Sequence, residues 1–219
     1  MTATETATRT YPFLVGAELR SGADAIEIRN PYSGGVIARA ALAGPRDVAE
    51  ALDGAVAAAP AAAALPSHTR AAVLDRIRAG VAARREELAA LLAAEAGKPL
   101  AMARTEIDRA IFVLQQGAEE AKRMGGEVIP MDLQPHGERR WGITRRFPLS
   151  PISAIIPFNF PVLLAAHKLA PAIACGATML LKLPPQDPLA TLANSASGDA
   201  HADSPYRSRA ACRSRAFPL

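Results

Sequence analysis

A chain of 219 residues, half of them hydrophobic but only 5% aromatic, is long enough to bury an ordinary core, and that core must rest on alanine and aliphatic side chains. The formal net charge is only +4, and the tail from Ala193 supplies part of it through Arg207, Arg209, Arg213 and Arg215 against Asp199 and Asp203, so nucleic acid is set aside as a partner. The polar start MTATETATRT has no signal-peptide core, no window reaches a membrane span, and Cys175 and Cys212 have no metal-type or disulfide spacing; a cytoplasmic protein, off the membrane, is expected.

In chain order, residues 1–10 are expected to be disordered. Short strands and turns follow: 13–15, a turn at Gly16, 26–28, and 36–40 after Gly34-Gly35. Residues 45–60 read as an alanine-rich helix after Asp47, with Pro60 breaking the alanine run at 55–64. A long helix over about 67–96 sets Leu74, Ile77, Val81, Leu88, Leu91 and Leu92 on one side, with Ser67 as N-cap and Gly97 as C-cap. The next, about 99–124, uses Met102, Ile107, Ile111, Leu114 and Ala118 and stops at Gly125-Gly126. Glu95, Glu106, Glu119 and Glu120 are expected on solvated helix faces. Residues 139–147 alternate loosely, as a strand does.

The stretch from Ile152 to Lys182 is the most informative. An apolar run at 152–156 leads through Pro157-Phe-Asn-Phe-Pro161 into a helix, a stop at Gly176, and a second apolar run at 179–183. That is a strand–helix–strand unit. Neither run alternates, which predicts parallel strands covered on both faces, joined by a right-handed crossover. Asn159 then lies just past the carboxyl end of the first strand and Lys182 near that of the second. Open α/β sheets bind ligands at this edge.

These motifs resemble the amino-terminal half of the cofactor domain of NAD(P)-dependent aldehyde dehydrogenases. Asn30-Pro31 before Gly34-Gly35, Asp47-Val48, Glu95-Ala-Gly-Lys-Pro99, Glu106, Arg145-Arg146-x-Pro148, the His167-Lys-Leu-Ala-Pro-Ala helix and Gly176-x-Thr-x-x-x-Lys182 follow the family's order. The likeness covers about residues 11–191. It implies an incomplete Rossmann-like parallel sheet with long amino-terminal helices: residues 11–133 and 151–192 as a partial cofactor domain, and 134–150 as the start of an oligomerisation arm through which copies of the chain would associate. It also implies a small aldehyde substrate and NAD or NADP as cofactor, and the tracts around Gly126 and Arg140 resemble relatives acting on small polar aldehydes such as lactaldehyde.

By the same resemblance Asn159 is the side-chain oxyanion donor, while Ile155, Ile156, Pro157, Phe158 and Lys182 shape the cofactor cleft, Lys182 at the adenosine ribose. Pro185 stands where many NAD-preferring relatives carry a glutamate, which leaves both cofactors open, and Phe158 where tryptophan is frequent. From Ala193 the composition turns to Ala, Ser and Arg, so residues 193–219 are expected to be a disordered tail outside the family pattern. The family's nucleophilic cysteine and general-base glutamate are expected beyond this point, so the chain reads as a fragment cut off before its chemistry and inactive alone. Cys175 suits packing, Cys212 has no supporting base, and His68, His136, His167 and His201 show no ligand spacing; no metal site is expected. Two other readings stay open: a non-catalytic interaction fragment, and a functionless product of an interrupted gene.

Overall fold

The computed structural model describes residues 8–196, a mixed α/β chain. Its first strands are β1 (Thr10–Tyr11), β2 (Phe13–Val15), β3 (Glu18–Arg20), β4 (Asp24–Arg29) and β5 (Val36–Leu42). β5 is the centre of a sheet ordered β1-β5-β4, parallel to β1 and antiparallel to β4. β2 and β3 form a hairpin turned at Gly16, whose φ of 61° suits glycine. The expected disordered start is therefore too long: Thr10 pairs with Arg39, and the Arg39 N–H donates to the Arg9 carbonyl. Residues 1–7 lie outside the described residues.

The helical half begins with α1 (Pro45–Ala64), α2 (Ser67–Ala83), α3 (Arg85–Ala96) and α4 (Leu100–Arg123). α1 continues through Pro60 instead of breaking there. Alanine flanks favour helix, proline removes only one N–H, and the fully buried Ala55 and Ala62 tie the segment down on both sides of the ring. The single helix expected over 67–96 is two, divided at Arg84 (φ −107°, ψ 17°). The Arg84 guanidinium holds that break, pairing with Glu87 and donating to the Ala193 carbonyl at 2.7 Å. Ser67 lies inside α2, where its hydroxyl accepts from Arg70, and Pro66 is the N-cap. Gly97 ends α3 in the left-handed region, as expected.

A short hairpin, β6 (Val128–Pro130) with β7 (Trp141–Ile143), encloses a 3-10 turn at Pro135–Gly137. β7 is shorter than the strand expected over 139–147, because its partner supplies only three residues. Then come β8 (Ile152–Ile155), α5 (Pro161–Cys175), β9 (Met179–Lys182) and α6 (Leu189–Ala196). β8 and β9 are parallel, as predicted, from Ile152 opposite Met179 to Ile155 opposite Lys182. Among the described residues they form a sheet of two strands. Coverage on both faces is only partly met: no β9 residue is exposed, but β8 leaves Ser153 and Ile155 exposed.

α6 corrects the expected tail. It runs to Ala196, and Ala193 is buried, so residues 193–196 are helical; residues 197–219, Cys212 among them, lie outside the described residues. The principal core joins α2, α3, α4, α5, β9 and α6 through buried Leu74, Leu88, Leu92, Ile107, Ala170, Leu181 and Leu189. Among the described residues no single helix is long and apolar enough to cross a membrane, and no three metal-ligating side chains cluster.

Candidate active site

The register of β8 and β9 builds the site's edge. Ile155 lies opposite Lys182, and the next residue's N–H, from Ile156, donates to the Lys182 carbonyl at 3.0 Å. Both strands thus deliver their carboxyl ends together. Ile156 is buried and anchors the edge, while Ile155 is 63% exposed and Lys182 half-buried. Pro157, Phe158 and Asn159 follow as an exposed loop leaving that edge. The predicted residues therefore share one rim of one sheet.

The loop is held from below by α4. Phe160 is the N-cap of α5 but supplies no side-chain cap, and Pro161 at the first helical position has no N–H to satisfy. The next two donors, the N–H groups of Val162 and Leu163, point at Oε1 of Glu106 at 3.0 and 3.2 Å. A carboxylate there also complements the positive end of the helix dipole. The other oxygen, Oε2, accepts from Lys98 Nζ at 2.6 Å, and the same ammonium donates to the Asn159 carbonyl at 3.0 Å. Lys98 further lies 4.8 Å from the Phe160 ring centroid. One fully buried carboxylate and one lysine, 13% exposed, thus join α4 to the loop and to the start of α5.

A second carboxylate repeats the device. The N–H groups of Leu189 and Ala190, opening α6, donate to Glu95 at 2.6 and 2.8 Å. Burial pushes the Glu95 carboxyl up to about 8, opposed by those two N–H donors. Asp187, just before α6, is also buried, and burial pushes it up to about 7 despite the attraction of Lys98. Its Oδ1 has no hydrogen-bond partner among the described residues.

Glu95 and Glu106 were expected on solvated faces; both are buried, at 4% and 1% exposure. Each bridges elements far apart in the chain, which satisfies it away from water. The signal was present. Glu106 falls between Ala103 and Ala110 beside Ile107, and Glu95 follows Leu88 and Leu92, all on helical faces that bury. Lys98 was read only as part of the Glu95-to-Pro99 motif and given no role, because Gly-Lys-Pro gives no periodicity. Glu119 and Glu120, by contrast, pair with Arg123, and Glu119 also accepts from Gln115. Cys175 is half-buried on α5, its thiol donating to the Ala172 carbonyl at 3.3 Å.

Comparison with known proteins agrees with this architecture. The family model described as "Aldehyde dehydrogenase family" matches residues 19–197. Aspartate-semialdehyde dehydrogenase 1 of Pseudomonas canavaninivorans is 40% identical over 167 residues, 76% of this chain and 36% of that protein. The 3-sulfolactaldehyde dehydrogenase of Priestia aryabhattai is 35% identical over 187 residues, 85% of this chain and 39% of that protein. The NADP-dependent glyceraldehyde-3-phosphate dehydrogenase of Bacillus halodurans, solved with NADP, superposes with a TM-score of 0.86 at 28% identity, over 94% of this chain and 44% of that one. The chain spans between 36% and 39% of the length of these two curated relatives.

Proposed function

The chain belongs to the aldehyde dehydrogenase family, and we propose that its residues serve the oxidation of a small polar aldehyde to a carboxylic acid with NAD or NADP. The observation that carries this is the shared rim: the Asn159 loop and Lys182 leave one edge of a parallel strand pair in register. The small polar aldehydes in the names of the two curated relatives support the substrate class.

In this reading, Asn159 presents its side-chain amide to the oxygen of the aldehyde as negative charge builds there. Loss of one such donor typically removes about 2.7–4 kcal/mol of transition-state stabilisation. The half-buried Lys182 fits a ribose hydroxyl as donor, and Ile155, Ile156, Pro157 and Phe158 supply an apolar wall. The dinucleotide, when bound, supplies the hydride acceptor. No carboxylate occupies position 185, where proline stands, so a 2′-phosphate meets no repulsion from that residue. The exposed apolar side chains of the 134–150 arm fit association between copies of the chain.

These 219 residues are not expected to turn over aldehyde by themselves, because Cys175 is tied into α5 with no base among its hydrogen-bond partners. A panel of small aldehydes followed by NAD(P)H absorbance should show no turnover; turnover abolished by Cys175→Ala would give that thiol the chemistry. Calorimetric titration with each cofactor should give a Kd weaker than about 1 μM. Lys182→Ala should weaken binding further, and Asn159→Ala should leave it unchanged. Tight binding indifferent to Lys182→Ala would sink the assignment of Lys182.

A further inference from the structure

We infer that Lys98 and Glu106 are positioning residues for Asn159, acting through its backbone and never touching the aldehyde. The inference rests on Asn159 being the oxyanion donor. An oxyanion donor works only if it is aimed before charge develops, since reorganisation at that moment would consume its benefit. Asn159 is poorly placed to be rigid. It is exposed, sits outside regular structure, and is separated from β8 by Ile156, Pro157 and Phe158.

The structure opposes that mobility at two points. Glu106 takes the Val162 and Leu163 N–H groups on a single oxygen, which fixes where α5 begins. Lys98, held by the other oxygen, donates to the Asn159 carbonyl itself. Lys98 and Arg109 also lie 4.8 and 5.9 Å from the Phe160 ring centroid, so the residue after Asn159 is held as well. The groups facing the pair are few: Asp187 interacts with both Lys98 and Glu106, and Glu95 with Glu106. The buried Glu106 and Asp187 both attract the Lys98 ammonium, which makes it hard to displace from its place beneath the loop. A second of its three N–H donors goes to the Asn159 carbonyl. A purely structural ion pair would have no need to reach the loop.

The test is nuclear magnetic resonance on the ¹⁵N-labelled 219-residue chain. The double variant Lys98→Met with Glu106→Gln leaves no buried charge unpaired between them and keeps an amide oxygen for Val162. In it, the order parameters of Asn159 and Phe160 should fall from about 0.85 to below about 0.6, while Ile107 and Leu114 on α4 stay rigid. Glu106→Ala should make the Val162 and Leu163 amides exchange at least about tenfold faster than in the parent. In the unaltered chain, the Phe160 ring current should shift the Lys98 ε-methylene protons upfield, which is readable even if a variant does not fold. A rigid Asn159 in the folded double variant, or unshifted Lys98 protons in the parent, would overturn the inference. Neither measurement uses aldehyde or cofactor. A fall in cofactor affinity on Asn159→Ala would therefore remove the oxyanion role and leave the loop's tether standing.

Discussion

Glu95 is where a single residue most clearly departs from what the sequence suggested. Its carboxyl is raised from 4.5 to about 8, chiefly by burial. A folded-state value above the unfolded one means the native chain binds the proton more tightly, so this contribution to stability is fully present below about 4.5 and is lost as pH rises through about 8. We expect the melting temperature to fall across that window, and Glu95→Gln to flatten the slope; an unchanged slope in the variant would assign the pH dependence elsewhere. Glutamate on a helix reads as solvated by composition, and that rule failed twice, at Glu95 and Glu106. Both oxygens of each are engaged by groups 56 to 95 positions away or by Lys98, and no local pattern records such partners. The placement of Asn159 and Lys182 beside strand ends was legible because hydropathy marks those strands directly.

Elements were readable where one side is apolar and a glycine ends the run. The limits of α4 and the stop at Gly97 came within a residue or so, whereas the division at Arg84, whose guanidinium bonds a carbonyl on the distant α6, did not. The contact between α4 and α5 gives a test at this scale. A Cβ on Gly117 would stand 2.8 Å from the Ala170 Cβ, closer than carbon atoms approach. Gly117→Ala should therefore cost about 1–3 kcal/mol by forcing the helices apart. The same change at Gly54 or Gly80 meets nothing within 4 Å. There it should stabilise by about 0.4–1 kcal/mol, by restricting the unfolded chain. Urea midpoints for the three variants decide it, and equal effects would mean the α4–α5 approach is not tight.

Across the whole molecule the apolar surface is unevenly spread. Leu133, Trp141, Ile143, Phe147 and Leu149 are each more than 70% exposed within one segment of the chain. Ile155 on β8, also exposed, adds to the uncovered apolar surface. Patches of this kind mark association surfaces or aggregation hazards. Size-exclusion chromatography should find the 219-residue chain self-associated, and Trp141→Glu with Ile143→Lys should shift it toward monomer without lowering its melting temperature. A monomer from the outset would contradict the proposed arm.

The same long-range capping constrains the order in which the chain can fold. α5 opens without a side-chain cap of its own, and the leading N–H groups of Val162, Leu163, Leu189 and Ala190, at the starts of α5 and α6, donate to the distant Glu106 and Glu95. Until α3 and α4 have come together, those donors face water, and a short helix such as α6 is marginal alone. α2, α3 and α4 follow one another with short connections and pack together, so they can form the nucleus on which the parallel strand pair is assembled. Mutations within α4 should then slow folding, and mutations in α6 should mainly hasten unfolding. Synthesis runs in the same direction: the helices that hold the acceptors leave the ribosome before the helices that need them.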